Sequence, residues 1–331
     1  MASDRDLRIN PVEAFQQKVM RQVALQLSDT PYVLKGGAAL IFTRGLPRHS
    51  TDLDFDSQKK LNIQNRILSG LKAAGVQADR IKMVKDTETV QRFKIHYRDP
   101  QTQRDVLFKV ETSFRQSPDP QEVEVIDGIR TYNVRRMFDD KMNASIDRTE
   151  ARDLYDLGYL VKNYGDQLSD SQIQRIDHFS KNLDLLATRY KESLENDDVL
   201  MRVTDVTDTV IQLRESVEVQ LTHRATKIQS IQWDKLIAQG VSKMLDYCGN
   251  RHEDGSVSFA TKEYNYLRDR SGEIQVRPKD GRPVLTPKTL SDRDIQVMSA
   301  IADKMTEIEQ SARKQQSQQK PEKKQQRRRK L

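Results

Sequence analysis

The chain is poor in the residues that anchor several function classes. It has one cysteine, Cys248, in 331 residues. An internal disulfide framework is therefore excluded, and the usage fits a reducing compartment. No apolar run approaches the ~20 residues of a membrane span. The opening "MASDRDLRIN" lacks the apolar segment of a signal peptide. We expect a cytoplasmic protein with no membrane contact. Aromatic residues make up only 6%, so the expected core is modest and largely helical. The five histidines show no metal-ligand spacing; His49 reads as an ordinary loop residue.

Net charge is also scarce outside one segment. The formal net charge is +7, yet residues 312–331 alone hold nine Lys or Arg and one Glu. Without them the chain is close to neutral. This Gln- and Lys-rich tail has too little apolar surface to fold by itself, so it is expected to be disordered. It reads either as a sequence-independent arm for nucleic acid or as a solubilising tail.

What is present divides along the chain. Residues 11–28 carry apolar positions at helical spacing. "YVLKGG" reads as a short strand entering a glycine turn, and "AALIFTRG" as a helix ended near Gly45. "STDLDFD" alternates polar and apolar residues, as a half-buried strand does. A helix closed by Gly75 follows, then strands in "RIKMVK", "VQRFKIHYR" and "DVLFKVETSF". In the last, Val106, Phe108 and Val110 face one way while Lys109 and Glu111 face the other. After Tyr132 the pattern turns helical, with Phe138, Met142, Ser145 and Ile146 on one stripe. Asp147 and Glu150 are spaced as a capping pair for the next helix. Polar helices are expected over about 170–245, a small β-rich element over 256–287, and a last helix around 295–308.

The strand "DLDFD" poses the chemical question. Asp52, Asp54 and Asp56 project from one side, with Leu53 and Phe55 on the other. Like charges side by side repel, and a divalent cation would reverse that cost. Mg²⁺ takes hard oxygen ligands and is often held by one or two carboxylates plus substrate phosphates. Two carboxylates at this spacing can share a metal pair. The preceding Gly36-Gly37 turn opens a helix whose free N–H groups suit an anion. The alternative is a solvated strand face after an ordinary turn.

The order of these parts resembles the DNA polymerase β-type nucleotidyltransferase superfamily. More narrowly, the first half of the chain is similar to the AbiEii/AbiGii toxin family. The matching motifs are Lys35-Gly36-Gly37, the strand from Arg48 through Ser50, Asp52 and Asp54 to Phe55, then Lys141, then Arg152-Asp153-Leu154-Tyr155-Asp156. Two departures stand out. Gly37 lies where the superfamily commonly has serine, and Ala38 where a hydroxyl is frequent.

The resemblance implies an α+β protein: a nucleotidyltransferase fold, with a mixed sheet flanked by helices, over 1–134. A helical domain completing the active site would span 135–245, a small β-rich element and final helix 246–311, and the disordered basic tail 312–331. It implies two Mg²⁺ ions on Asp52, Asp54 and Glu111, with Lys141 and Asp156 also catalytic. Lys35, Gly36, Gly37, Arg48, Ser50 and Asp153 would hold the nucleoside triphosphate. Asp56 would support the site or stay solvated. Arg152 and Asp156, at i and i+4, would otherwise form a surface pair. Lys141 and Asp153 would lie ~120° apart on one straight helix, and a break near Asp147 could bring them together. Tyr155 and Tyr159 read as core.

The implied activity is transfer of a nucleoside monophosphate from a triphosphate, with release of pyrophosphate, by a toxin of a toxin–antitoxin or abortive-infection system. The implied acceptor is the tRNA 3′ end. The implied partner is a cognate antitoxin, a winged-helix transcriptional regulator being one candidate. Two other readings stand beside it: transfer to a protein hydroxyl, and a non-catalytic nucleic-acid-binding accessory protein of a mobile element.

Overall fold

A computed structural model describes residues 9–328, with side chains through residue 313. Its contacts divide the chain into two units, Met1–Leu221 and Thr222–Leu331.

The first unit begins with α1 (Pro11–Leu25), opened by a capping box between Asn10 and Glu13. β1 (Val33–Lys35) runs straight into α2 (Gly36–Arg44), and Gly45 ends that helix in a left-handed conformation. β2 (Asp52–Asp56) and α3 (Gln64–Ala73) follow. β3 (Ala78–Asp86), β4 (Val90–Arg98) and β5 (Asp105–Ser113) form an antiparallel meander. β6 (Val123–Ile126) and β7 (Ile129–Tyr132) form a hairpin. This hairpin was not expected, although its turn residues Asp127 and Gly128, both at positive φ, are a strong hairpin signal.

These strands make one seven-stranded mixed sheet in the order β3-β4-β5-β2-β1-β7-β6. β2 lies near its centre, parallel to β5 and antiparallel to β1. Its alternation holds: Leu53 and Phe55 are buried.

α4 (Val134–Asp147) and α5 (Ala151–Tyr164) come next. The chain breaks between them at Arg148, whose backbone is extended. The break expected near Asp147 is therefore present. The expected Asp147–Glu150 capping pair is not: Asp147 still belongs to α4, and Glu150 at the α5 N-cap makes no side-chain cap. Phe138, Met142 and Ser145 are buried as expected, but Ile146 is exposed. It lies ~80° around the helix from Phe138, off the buried stripe. α6 (Asp170–Phe179), α7 (Leu183–Glu195) and the start of α8 (Val206–Leu236) complete the unit. One core runs through sheet and helices, from Val19 to Val217.

The second unit takes in the rest of α8, then α9 (Ser242–Cys248) and an antiparallel sheet of β8 (Asn250–Arg251), β9 (Val257–Ala260), β10 (Tyr264–Arg268) and β11 (Ile274–Pro278). α10 (Asp292–Arg328) closes it. This unit has its own core, which includes Tyr264, Tyr266, Val276 and Met298. The backbone of α10 stays helical through most of the tail expected to be disordered. Residues 329–331 of that tail lie outside the described residues. No described helix is long and apolar enough to cross a membrane.

Candidate active site

Two charged groups of residues meet around β2. The first is the acidic row itself. Register sets Asp54 beside Lys35 of β1 on one side and Glu111 of β5 on the other. Gly36, at φ +70°, presses against it: a Cβ there would meet Asp54 Oδ2 at 3.4 Å. The expected nearness of glycine turn and acid is thus real. α2 begins at this point with no side-chain cap, which leaves its first N–H groups free for an anion.

Asp54 is the most perturbed acid of the row. Among the described residues its carboxylate has no hydrogen-bond or ion-pair partner. Burial, then Asp52 and Glu111, push its pKa up to about 6, against the opposing pull of Lys35 and Lys141. The two neighbouring acids are already engaged. Glu111 pairs with Arg92, its neighbour on β4. Asp52 Oδ1 lies 3.3 Å from Lys109 Nζ. That oxygen is buried and receives no hydrogen bond.

As the side chains stand, no three His, Cys, Asp or Glu residues among those described converge into a ready metal cage. Arg92 and Lys109 hold the outer acids in ion pairs instead. The donor set nevertheless fits a hard divalent cation. Asp54 is free, Asp52 has an unsatisfied buried oxygen, and three carboxylates stand in adjacent register.

The second group is a buried ion network behind α2. Arg48 donates to Asp156 through both Nε and Nη2, each at 2.7 Å. Lys141 Nζ lies 2.7 Å from Asp156 Oδ2 and 2.8 Å from Asp153 Oδ1. Arg148 Nε reaches the other Asp153 oxygen at 2.8 Å. Arg48, Asp153 and Asp156 are almost wholly buried. Burial alone would raise the Asp156 pKa; Arg48 and then Lys141 outweigh it and hold the carboxyl below its ordinary value. The break after α4 is what folds Lys141 back onto Asp153.

The network also explains the second glycine. A Cβ on Gly37 would sit 2.4 Å from Arg48 Nη2. The serine common at this position in the superfamily has no room beside that guanidinium. Ser50 plays a local part: its hydroxyl lies 3.4–3.5 Å from the backbone of Asp52, at the start of the strand.

Some expectations are corrected. Arg152 does not pair with Asp156. It pairs with Asp197, while Asp156 turns inward to Arg48 and Lys141. Of the two places expected for Asp56, support rather than solvent holds: it is buried, accepts from Lys35 Nζ at 2.6 Å, and accepts from Tyr132 Oη at 3.0 Å. Tyr132 and Arg148 were missed altogether. Tyr132 ends the hairpin of β6 and β7, so finding that hairpin in "VIDGIRTY" would have placed it. Tyr155 and Tyr159 pack against the core as read.

The family model described as nucleotidyl transferase AbiEii toxin, type IV TA system, matches residues 18–239. The chain belongs to the AbiEii family of toxin nucleotidyltransferases. Two solved structures support the assignment. A protein assigned as a nucleotidyltransferase from H. pylori is 34% identical, with a TM-score of 0.59. The match covers 64% of this chain and 95% of that one. JHP933 from Helicobacter pylori is 33% identical, with a TM-score of 0.61, over 68% of this chain and 99% of that one. No curated protein matches. Membership in the AbiEii family makes the chain a nucleotidyltransferase enzyme, with a nucleotide substrate and an antitoxin partner. The family model stops at residue 239, so most of the second unit lies beyond it.

Proposed function

We propose that this toxin transfers a nucleoside monophosphate from a nucleoside triphosphate to the 3′ end of tRNA, with Asp52, Asp54 and Glu111 as the ligands of two Mg²⁺ ions. The observation that carries the reading is Asp54. It is an unpartnered carboxylate with a pKa of about 6, set between two other acids and against the glycine at the start of α2. A site that leaves a carboxylate so poorly compensated favours an arriving cation. When bound, the ions would offset the negative charge of the triphosphate and lower the pKa of the attacking hydroxyl.

The chain's own residues then divide the work. Gly36 and Gly37 let phosphate oxygens approach the backbone of α2. Lys35, aimed by Asp56 and Tyr132, stands beside the acids at the mouth of that turn. Lys141 contacts the triphosphate, and Asp153 and Asp156 fix its position. Arg48 locks the α5 acids to the loop before β2, and Ser50 steadies the start of the strand. Catalysis of this kind rests mainly on positioning and charge. The site would work in the cytoplasm, where triphosphates and tRNA are present, until the antitoxin counters it.

The test uses purified protein, Mg²⁺, each labelled triphosphate in turn, and total tRNA. Wild type should label tRNA and release pyrophosphate, and Asp54→Asn should do neither. Label appearing on protein instead would replace the tRNA acceptor by a protein hydroxyl. No label on either would sink the proposal.

A further inference from the structure

The face of the sheet that carries the acids continues well past β5. Register pairs Asp52 with Lys109, Lys109 with Lys94, and Lys94 with Lys82. Paired residues share a face. A single row therefore crosses β2, β5, β4 and β3, about 14 Å long at the usual strand spacing. Beside it the same pairing places Glu111, Arg92 and Lys85 on one flank. Leu107, His96 and Arg80 stand on the other. The opposite face of these strands is core, with Phe93, Ile95, Phe108 and Val110 buried.

Three lysines abreast on adjacent strands cost the sheet stability, because like charges directly opposite repel. For Lys82 there is an ordinary reason: β3 is an edge strand, and edge lysines discourage unwanted strand pairing. Lys94 and Lys109 stand on interior strands, where that reason does not apply. Among the described residues Arg80, Lys82, Lys85 and Lys94 have no acidic partner. The carboxylates of this face stand at its limits: Asp105 opposite Arg98, and the acids of the site. Leu107, 40% exposed, adds an apolar spot amid the cations.

We infer that this basic face of β3, β4 and β5 holds the phosphodiester backbone of an RNA acceptor and leads its 3′ end to the acids of β2. The inference rests on the reading that the acceptor is RNA. Backbone phosphates supply the anions that the lysine row lacks. Lys109, already 3.3 Å from Asp52, marks where the RNA track meets the site. Leu107 gives a ribose or base edge an apolar contact.

Fluorescence anisotropy with labelled tRNA, without triphosphate, tests the assignment. The proteins are wild type, Lys82→Gln/Lys94→Gln, Lys82→Arg/Lys94→Arg, and a control, Lys18→Gln/Lys72→Gln, whose lysines are exposed on α1 and α3. Each phosphate left without its lysine should flatten the log–log salt slope by about 0.7, and the Gln pair should bind about tenfold more weakly at physiological salt. The Arg pair and the control should bind like wild type. The Gln pair should melt no lower than wild type, since it relieves repulsion; a purely structural role for the lysines predicts a lower melting temperature. Equal tRNA binding by the Gln pair and the control overturns the inference. So does lysine-dependent binding of duplex DNA or an acidic peptide in preference to tRNA. A wild type that binds tRNA through these lysines but never extends it upholds the surface and defeats the acceptor reading. A Gln pair that extends tRNA as well as wild type does the reverse.

Discussion

Asp54 should make the metal-free protein less stable than it need be. Its carboxyl is raised from an ordinary 3.8 to about 6, with burial first and then Asp52 and Glu111 as causes. The sign follows from linkage. Below about pH 4 the group is protonated in both folded and unfolded chains, and nothing is lost. As pH rises towards 6 the unfolded chain releases its proton first, so stability falls. Above about pH 6 the full cost is present. A rise of about two pH units corresponds to about 3 kcal/mol. Asp54 is not wholly shut off from solvent, so about 1–3 kcal/mol is the fitting range.

Asp54→Asn keeps the shape and removes the charge. Urea unfolding in the presence of a chelator should find the variant more stable by about 1–3 kcal/mol at pH 8, and close to wild type at pH 4. Nucleotide transfer should be lost in the same protein. Added Mg²⁺ should raise the stability of wild type and leave the variant unmoved, which narrows the gap. A variant that is less stable than wild type at pH 8, or a difference that ignores pH, would refute the argument that Asp54 is a carboxylate awaiting a cation.

Other outcomes follow from the buried network. Asp156→Ala leaves Arg48 and Lys141 buried beside a missing partner; chemical denaturation should show a loss of about 3–5 kcal/mol. Gly37→Ala drives a Cβ into the Arg48 guanidinium. It should cost about 1–3 kcal/mol by thermal melting and depress transfer. A Gly37→Ala protein as active as wild type would separate the Arg48–Asp156 clamp from the site. Lys141→Gln should raise the KM for the triphosphate at least tenfold, measured by initial rates of pyrophosphate release; an unchanged KM would remove Lys141 from the triphosphate.

The local half of the site could be read from the sequence because its periodicity is short. Alternation in "DLDFD" fixed which side chains share a face, and the glycine pair marked the turn that brings backbone N–H groups beside them. Helical geometry alone showed that a break near Asp147 could bring Lys141 and Asp153 together, since on one straight helix they lie ~120° apart. The remote half could not be read in this way. Arg48 and Asp156 are 108 residues apart, and no local pattern tells a buried bidentate pair from the i,i+4 pair that Arg152 could have made. Asp56 shows the same limit. Its alternation suggested solvent, but β1 and the end of β7 cover it, and that cover depends on the sheet order.

The two charged groups differ in a way that bears on mechanism. In the network behind α2 the acidic side chains are matched by cations at 2.7–2.8 Å, so its geometry is set before any substrate arrives. In the acidic row the balance is left open: among the described residues Asp54 has no partner, Asp52 keeps one oxygen without a donor, and Glu111 leans on a half-buried arginine. A rigid, self-satisfied frame beside an under-compensated row is what positioning by charge requires. The frame costs nothing at the moment of reaction, and the row gains most when cations and phosphates arrive together. Neutralising the row should therefore abolish transfer while leaving the fold intact or firmer, whereas breaking the frame should weaken fold and transfer together.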